Sequence, residues 1–403
     1  MLRTKDFELK KEERQMQFEK SDRLKKLPPY LFVEIDRAKK KAREEGRDII
    51  DLGVGDPDIP TPKFIIDALA KAAKDPATHR YSLDQGIPEF RSAAARWMKK
   101  RFGAGLNPDS EIYPLIGSKE GIAHIPLAFI NPGDAVLIPD PCYPPYRSGT
   151  IFAGGEVIYM PLLEKNKFLP DLKAINHHLL HKAKMIFINY PNNPTSAVCD
   201  KSFLKGVVEF AKKHNLIVCS DTAYSEITFD GYVAPSIFEI EGAKDVAIEF
   251  HSLSKTFNMT GWRIGFACGN SSIIEGLAKV KSNIDSGIFQ AIQRAGVTAL
   301  ENYDKHIKSV TKIYAERRDI LVDGLNSIGL HVEKPKATFY VWAKIPPRYT
   351  SATFAKALLE KCDIVATPGN GFGDHGEGYV RMAVTVDKKL IRATIDRIRK
   401  RLG

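Results

Sequence analysis

The alternation of apolar and polar positions is clearest on either side of residue 255. Val246, Ile248 and Phe250 alternate with Ala247, Glu249 and His251, which predicts a strand running toward Lys255. Trp262, Ile264 and Phe266 then alternate with Arg263 and Gly265, which predicts a second strand with Arg263 projecting from one face. Lys255 falls on the short connection between the two. Three other runs, 135–138, 185–188 and 216–219, are apolar throughout. Such runs suit strands covered on both faces, and the helical segments between them imply parallel crossovers. Helical spacing marks a charged helix ending near Arg43, an amphipathic helix from Thr61 to Lys74 behind a Thr-Pro start, and an apolar helix from Ile122 to Phe129. A long helix carries Val310, Ile313, Tyr314, Leu321 and Leu325 and stops at Gly329. Residues 48–52 and 379–384 read as short strands. The pattern is α/β with a mostly parallel sheet. Ligands gather at the carboxyl ends of such strands, so the loops beginning at Pro139, Asn189 and Ser220 are expected near Lys255.

A chain of 403 residues is long enough for one large and one small domain. No run of about eighteen apolar residues occurs, so no transmembrane helix and no membrane partner are expected. Residues 1–26 are dense in both charges and lack an apolar core, which argues against a secretory signal and reads as a solvated helix or flexible arm. The net charge of +11 is spread along helices, as at Lys39–Lys41 and Arg397–Arg401. Without zinc-finger spacing or aromatic residues interleaved, it predicts a basic surface that attracts anionic substrates, not a nucleic-acid partner. Cys142, Cys199, Cys219, Cys268 and Cys362 are odd in number and widely spaced. They form neither a disulfide framework nor a metal-ligand motif, so no metal and a cytoplasmic location are expected.

The chemistry-bearing residues refine this. Ser252 and Ser254 stand three and one residues before Lys255, and Arg263 follows. An amine that attacks a carbonyl needs a lowered pKa, which neighbouring cations and partial burial supply. Serine hydroxyls and an arginine fork suit a phosphate. Together they fit a lysine that holds pyridoxal phosphate covalently, with the phosphate clamped beside it. A Ser-x-Ser-Lys after a strand, standing alone, is usually an exposed loop lysine. Other stretches add to it. Gly117-Ser118-Lys119-Glu120-Gly121 offers amides, a hydroxyl and a lysine at a helix start, an anion site. Tyr143 offers an aromatic face to the ring, Asn193 and Tyr224 can donate to its phenolic oxygen, and Asp221 can pair with its pyridine nitrogen. Taken singly, the aspartate is as often a helix cap, and Asn-Pro is usually turn chemistry. The loop Gly53-Val54-Gly55-Asp56-Pro57-Asp58 allows close backbone approach to a ligand. Arg381, on a strand, can bind a carboxylate bidentately. Residues 371–376 satisfy a dinucleotide pattern, but a strand follows where that motif requires a helix, so it is rejected.

The motif Ser252-Leu253-Ser254-Lys255, continued by Asn258-Met259-Thr260-Gly261-Trp262-Arg263-Ile264-Gly265, resembles the lysine motif of the fold-type I, class I/II aminotransferases. The resemblance runs from Leu27 onward. It looks nearest to the LL-diaminopimelate aminotransferase group through residues 27–32, 117–121, 249–255 and 281–287. It implies the pyridoxal-phosphate-dependent transferase fold, with a large domain over 56–309 and a small α+β domain built from 27–55 and 310–403. It also implies a homodimer in which Tyr81 reaches the neighbouring subunit's phosphate. Tyr30, Gly55, Lys119, Tyr143, Asn193, Asn283 and Arg381 would contact substrates, which are small molecules, amino acids and 2-oxo acids. The implied reaction passes an amino group from glutamate to tetrahydrodipicolinate. An aspartate- or alanine-type specificity, or a non-catalytic regulator on the same fold, stays open. The chain departs from the family at Ser196, where glycine is usual, and at Cys142, where glycine is common.

Overall fold

The computed structural model describes residues 18–28, 31–82 and 85–402, with backbone alone for 31–36. Tyr30 lies outside the described residues, as does most of the charged arm, whose described part is one exposed helical turn, Asp22–Lys25. Twelve strands follow in chain order. They are β1 (Ile50–Asp51), β2 (Ile112–Leu115), β3 (Ala135–Asp140), β4 (Glu156–Pro161), β5 (Ala183–Asn189) and β6 (Ile217–Asp221). Then come β7 (Ala247–Ser252), β8 (Gly265–Gly269), β9 (Tyr340–Lys344), β10 (Ile364–Val365), β11 (Thr367–Pro368) and β12 (Tyr379–Ala383).

The main sheet has the order β2-β8-β7-β6-β5-β3-β4. From β4 to β7 all neighbours are parallel, whereas β8 runs antiparallel to both β7 and β2. The three apolar runs are β3, β5 and β6, buried on both faces by flanking helices, as continuous hydrophobicity requires. Their chain order reverses between β3 and β5, which opens a crevice at the carboxyl ends. Register places Asn189 beside Asp221, and Asp221 beside Phe250, so successive strand ends present their polar residues at one level.

A second, three-stranded antiparallel sheet has the order β11-β12-β9, and β1 pairs in parallel with β10. Ile50 and Leu52 thereby join Tyr314, Leu321, Leu325, Val341, Ile364, Met382 and Ile391 in one apolar cluster, although the two ends of the chain supply them. The long helix spans Tyr303–Ser327, beginning earlier than its apolar spacing suggests, and it stops before Gly329, whose φ is +83°. Arg317 on this helix clamps both carboxylate oxygens of Asp58 at 2.7 and 2.8 Å, tying it to the Gly53–Asp58 loop. The amphipathic helix after the Thr-Pro start runs Lys63–Ala73.

One expectation needs correction. Arg263 is not on a strand: Thr260–Trp262 form a 3-10 turn, Arg263 itself has φ +54°, and β8 starts only at Gly265. The reason is steric. A Cβ at Gly265 would stand 2.5 Å from the carbonyl oxygen of His251 and 3.1 Å from the amide nitrogen of Ser118. Only glycine lets this segment cross so near both backbones. Gly265→Ala is therefore expected to cost about 1–3 kcal/mol of unfolding free energy, read as a lower urea midpoint. Gly261→Ala, which would meet nothing within 4 Å, serves as control and should change stability by less than about 0.5 kcal/mol. Equal midpoints for the two variants would contradict the close approach.

Candidate active site

The carboxyl ends of β3, β5, β6 and β7 face a cavity of about 590 Å³, roofed by residues 54–56, Tyr340 and Arg381. Ser252, the last residue of β7, is extended, and its Oγ accepts the amide proton of Ser254 at 3.2 Å. That cap starts a single helical turn, Leu253–Thr256, which turns Lys255 into the cavity. Lys255 is half-buried, and its Nζ donates to the Gly55 carbonyl at 3.3 Å. Burial lowers its pKa to about 8; Asp56 opposes the shift, while Arg263 and Arg381 add to it.

At one end of the cavity lies an anion-binding arrangement. Gly117, at φ +75°, opens the helix Ser118–Phe129, and a Cβ on it would strike the Arg263 guanidinium at 2.4 Å. Arg263 donates from Nη1 to the Thr260 carbonyl (3.0 Å) and from Nη2 to the Ile116 carbonyl (3.3 Å). Its left-handed backbone thus aims the fork at the helix start, where Ser118, Ser252 and Ser254 also line the cavity. Amides at a helix N-terminus, hydroxyls and a guanidinium form a donor set for a phosphate-sized dianion.

Asp221, at the end of β6, forms the floor. It is buried, accepts from the Tyr146 hydroxyl at 2.7 Å and from the Ala223 amide at 3.2 Å, and burial raises its pKa above the usual carboxylate range. Lack of water makes it a strong partner for a cationic ring nitrogen. Tyr143 and Tyr224 form walls. Tyr224 and Tyr340 share a hydroxyl hydrogen bond at 2.9 Å. Arg381, 1 % exposed, donates to Asn193 Oδ1 and to the Gly53 carbonyl, both at 2.7 Å, and its guanidinium lies 4.1 Å from the Tyr340 ring centroid.

The structure therefore brings Gly55, Ser118, Lys119, Tyr143, Asn193, Asp221, Tyr224, Ser252, Ser254, Lys255, Arg263 and Arg381 to one cavity. It does not bring Tyr81 or Asn283 there. Tyr81 is 87% exposed, and Asn283 caps the helix Ser271–Ser282, its Nδ2 bonded to the Lys279 carbonyl. Sequence reasoning missed Tyr146, Tyr340 and Asp56. Tyr340 begins a strand that is apolar and buried from Tyr340 to Ala343, so nothing in its pattern marks it; its clue is Gly55, where a Cβ would crowd its hydroxyl.

The two departures have plain accounts. Cys142 is buried beside the site, and burial pushes its thiol up to about 12, so it fills space and supplies no thiolate. Ser196 adopts φ +60°, a glycine-like conformation, and its hydroxyl donates to the Tyr340 carbonyl at 2.8 Å. Glu249, His251 and Cys268 also cluster behind the site, but the glutamate is already engaged by Ser236, Ile237 and His251.

Comparison with known proteins agrees with this geometry. The family described as aminotransferase class I and II matches residues 47–398. An LL-diaminopimelate aminotransferase from Moorella thermoacetica is 55% identical over 381 residues, 94% of this chain and 98% of that protein. Another, from Aquifex aeolicus, is 54% identical over 382 residues, 95% and 99% of the two chains. Among solved structures, substrate-bound BacF from Bacillus subtilis superposes with a TM-score of 0.91 at 40% identity, covering 96% of this chain and 98% of that one. Aspartate aminotransferase from Thermus thermophilus with maleate gives 0.89 at 28% identity, over 95% and 100%. A relative more than half identical along nearly the full length, with a family match over residues 47–398, places this enzyme in the class I and II aminotransferases.

Proposed function

We propose that the enzyme is a pyridoxal-phosphate-dependent LL-diaminopimelate aminotransferase, moving an amino group between glutamate and tetrahydrodipicolinate to give LL-diaminopimelate and 2-oxoglutarate. The observation that carries the cofactor is Lys255, its amine lowered to about 8, set between the Arg263 anion end and the buried Asp221. The specificity rests on relatives of that name at 52–55% identity. An aspartate- or alanine-type specificity is the alternative that the donor panel below separates.

The residues fit the cofactor. Ser118, Ser252, Ser254 and Arg263 would hold its phosphate, Asp221 its ring nitrogen, Asn193 and Tyr224 its phenolic oxygen, and Tyr143 its ring face. When bound, pyridoxal phosphate supplies an aldehyde for the amino group and a ring that withdraws electrons from the α-carbon. The protein does the rest. Lys255 Nζ, uncharged above about pH 8, would take the α-proton of the amino donor as general base and, in the reverse half-reaction, supply a proton to the α-carbon of the acceptor as general acid. Asp221, buried and accepting from the Tyr146 hydroxyl, would keep a proton on the ring nitrogen. Arg381 receives the substrate carboxylate and is held in place by Asn193, the Gly53 carbonyl and the Tyr340 ring. Lys119 and Gly55 line the same cavity and would contact substrate.

Tyr81 enters this reading through a second copy of the chain, and Tyr30 and Asn283 as the substrate contacts that the family resemblance implies. Tyr81 adjoins a surface groove with Ser286, Gly287 and Phe289, and Ile284 and Phe289 are 53% and 43% exposed. That apolar face suits a homodimer, in which Tyr81 would complete the partner's phosphate site. The large domain is assigned to 56–309 and the small one to 27–55 with 310–403, in keeping with the shared cluster of Ile50, Leu321 and Ile391. Among the described residues no helix is long and apolar enough to cross a membrane. All five cysteines are free and buried, which suits a reducing cytoplasm.

Three outcomes are expected. Lys255→Ala should lower turnover by at least about 10²–10⁴-fold while retaining some cofactor through Arg263 and Ser118, and borohydride should no longer trap a cofactor adduct; full activity would refute the assignment. With 2-oxoglutarate as acceptor, a donor panel should show LL-diaminopimelate well ahead of aspartate, alanine and the meso isomer; robust aspartate turnover without LL-diaminopimelate turnover reverses the substrate. In cofactor-free protein, amine-reactive labelling of Lys255 should rise through about pH 8, since only the free base attacks. Asp56→Asn, which removes the charge favouring the ammonium, should move that midpoint down, and Arg263→Gln should move it up. Peptide mapping of the label reads all three midpoints; an ordinary lysine midpoint near 10.5 in the parent protein would contradict the argument.

A further inference from the structure

A fully buried lysine lies behind the anion end of the cavity and takes no part in the chemistry above. The Lys281 side chain is 1% exposed. Its Nζ lies 3.3 Å from Glu120 Oε2 and 2.5 Å from Asp285 Oδ1. Glu120 belongs to the first turn of the helix Ser118–Phe129, two residues after Ser118. Its carboxylate already accepts the Ile116 amide proton at Oε2 (2.9 Å), and His124 Nδ1 stands 3.0 Å from Oε1.

That placement creates an electrostatic conflict. An acidic residue in the first turn competes with any bound dianion for the same partial positive charge at the helix start. Glu120 also has a structural use, since it grips the N–H of Ile116, whose carbonyl receives Arg263 Nη2 on its other side. The carboxylate thus holds the peptide that aims the guanidinium, yet its charge opposes the anion that the guanidinium is aimed at. A buried ammonium beside it resolves the conflict.

We infer that Lys281 is a positioning residue for the cofactor phosphate: its ammonium, which Asp285 shares, offsets the charge of Glu120, so that this carboxylate can order the Ile116–Arg263 contact with less repulsion of the dianion. The inference rests on the phosphate reading of the anion end. A second consequence follows from Asp285, which accepts the Gly287 amide at 2.8 Å. Lys281 therefore also joins the anion turn to the segment that borders Tyr81 on the surface.

The test separates charge from mere packing by comparing two ligands, pyridoxal phosphate and pyridoxal, titrated into the full-length protein after cofactor removal. Lys281→Met should weaken pyridoxal phosphate by about tenfold or more while changing pyridoxal by no more than about twofold, because only the first carries the charge. Combining Lys281→Met with Glu120→Gln removes the carboxylate in the first helical turn and leaves only Asp285, whose side chain is 21% exposed, without its ammonium, so this double variant should recover pyridoxal phosphate affinity to within about threefold. Glu120→Gln alone should bind pyridoxal phosphate at least as tightly as the parent, and Lys281→Arg should retain affinity. If Lys281→Met folds poorly, the double variant and Lys281→Arg still decide the matter. Equal weakening of both ligands, or a double variant no better than Lys281→Met, overturns the inference and leaves the phosphate site intact. A parent protein that does not prefer pyridoxal phosphate over pyridoxal overturns the phosphate reading itself, and this inference with it.

Discussion

Desolvation of a single amine is the constraint around which the molecule is arranged. An ammonium at Lys255 would need water that the cavity walls restrict, and Arg263 and Arg381 face it with the same charge. Asp56, at the cavity mouth, is the acid that opposes this shift. The balance leaves the amine near neutrality, where it can exchange a proton in both directions. Each charge comes from a different element: the turn after β7 for Lys255, the left-handed residue before β8 for Arg263, β12 for Arg381, and the loop 53–58 for Asp56. Any shift of these elements against one another would alter the balance, so the packing of the fold sets the chemistry.

The seam over the cavity shows how that packing is held. Residues 53–55, 193, 340 and 381 lie far apart in sequence, yet their polar groups satisfy one another. Arg381 bridges Asn193 to the Gly53 carbonyl, and Thr367 donates to that same carbonyl at 2.8 Å. Tyr340 lies against the guanidinium, reaches Tyr224 with its hydroxyl, and occupies the space that a side chain at residue 55 would need. A buried guanidinium is tolerable only with such partners. The same partners hold it at the cavity, so one set of contacts both stabilises the seam and fixes a guanidinium in the cavity lining.

Much of this was legible in the chain. Parallel strands buried on both faces must be apolar throughout, and β3, β5 and β6 announced themselves that way. Polar residues close after such runs have few roles other than caps or ligands, which is why Asp221, and Asn193 in the loop after β5, could be singled out. Alternation failed at Arg263, because side-chain period carries no information about a left-handed backbone angle, and Trp262, Ile264 and Phe266 keep the period across the turn. Tyr146, Tyr340 and Lys281 stayed hidden for another reason. Their partners, Asp221, Tyr224 and Glu120, lie 75, 116 and about 160 residues away in the chain. Tyr81 and Asn283 were nominated by resemblance, and a single chain leaves them on its surface.

The departure at Ser196 can be argued from the same seam. A non-glycine residue at φ +60° carries a strain of roughly 1–3 kcal/mol. Its hydroxyl donates to the Tyr340 carbonyl and lies 3.0 Å from Thr338 Oγ1, both on the approach to β9. Each such bond returns about 1 kcal/mol, so the two together offset much of the strain. Glycine at this position would relieve the strain but lose the tether. The serine instead ties the loop carrying Asn193 to the strand carrying Tyr340, and those two residues hold Arg381 from opposite sides. What looks in the sequence like a lapse from the family pattern is, in three dimensions, a further fastening of the arginine in the cavity lining.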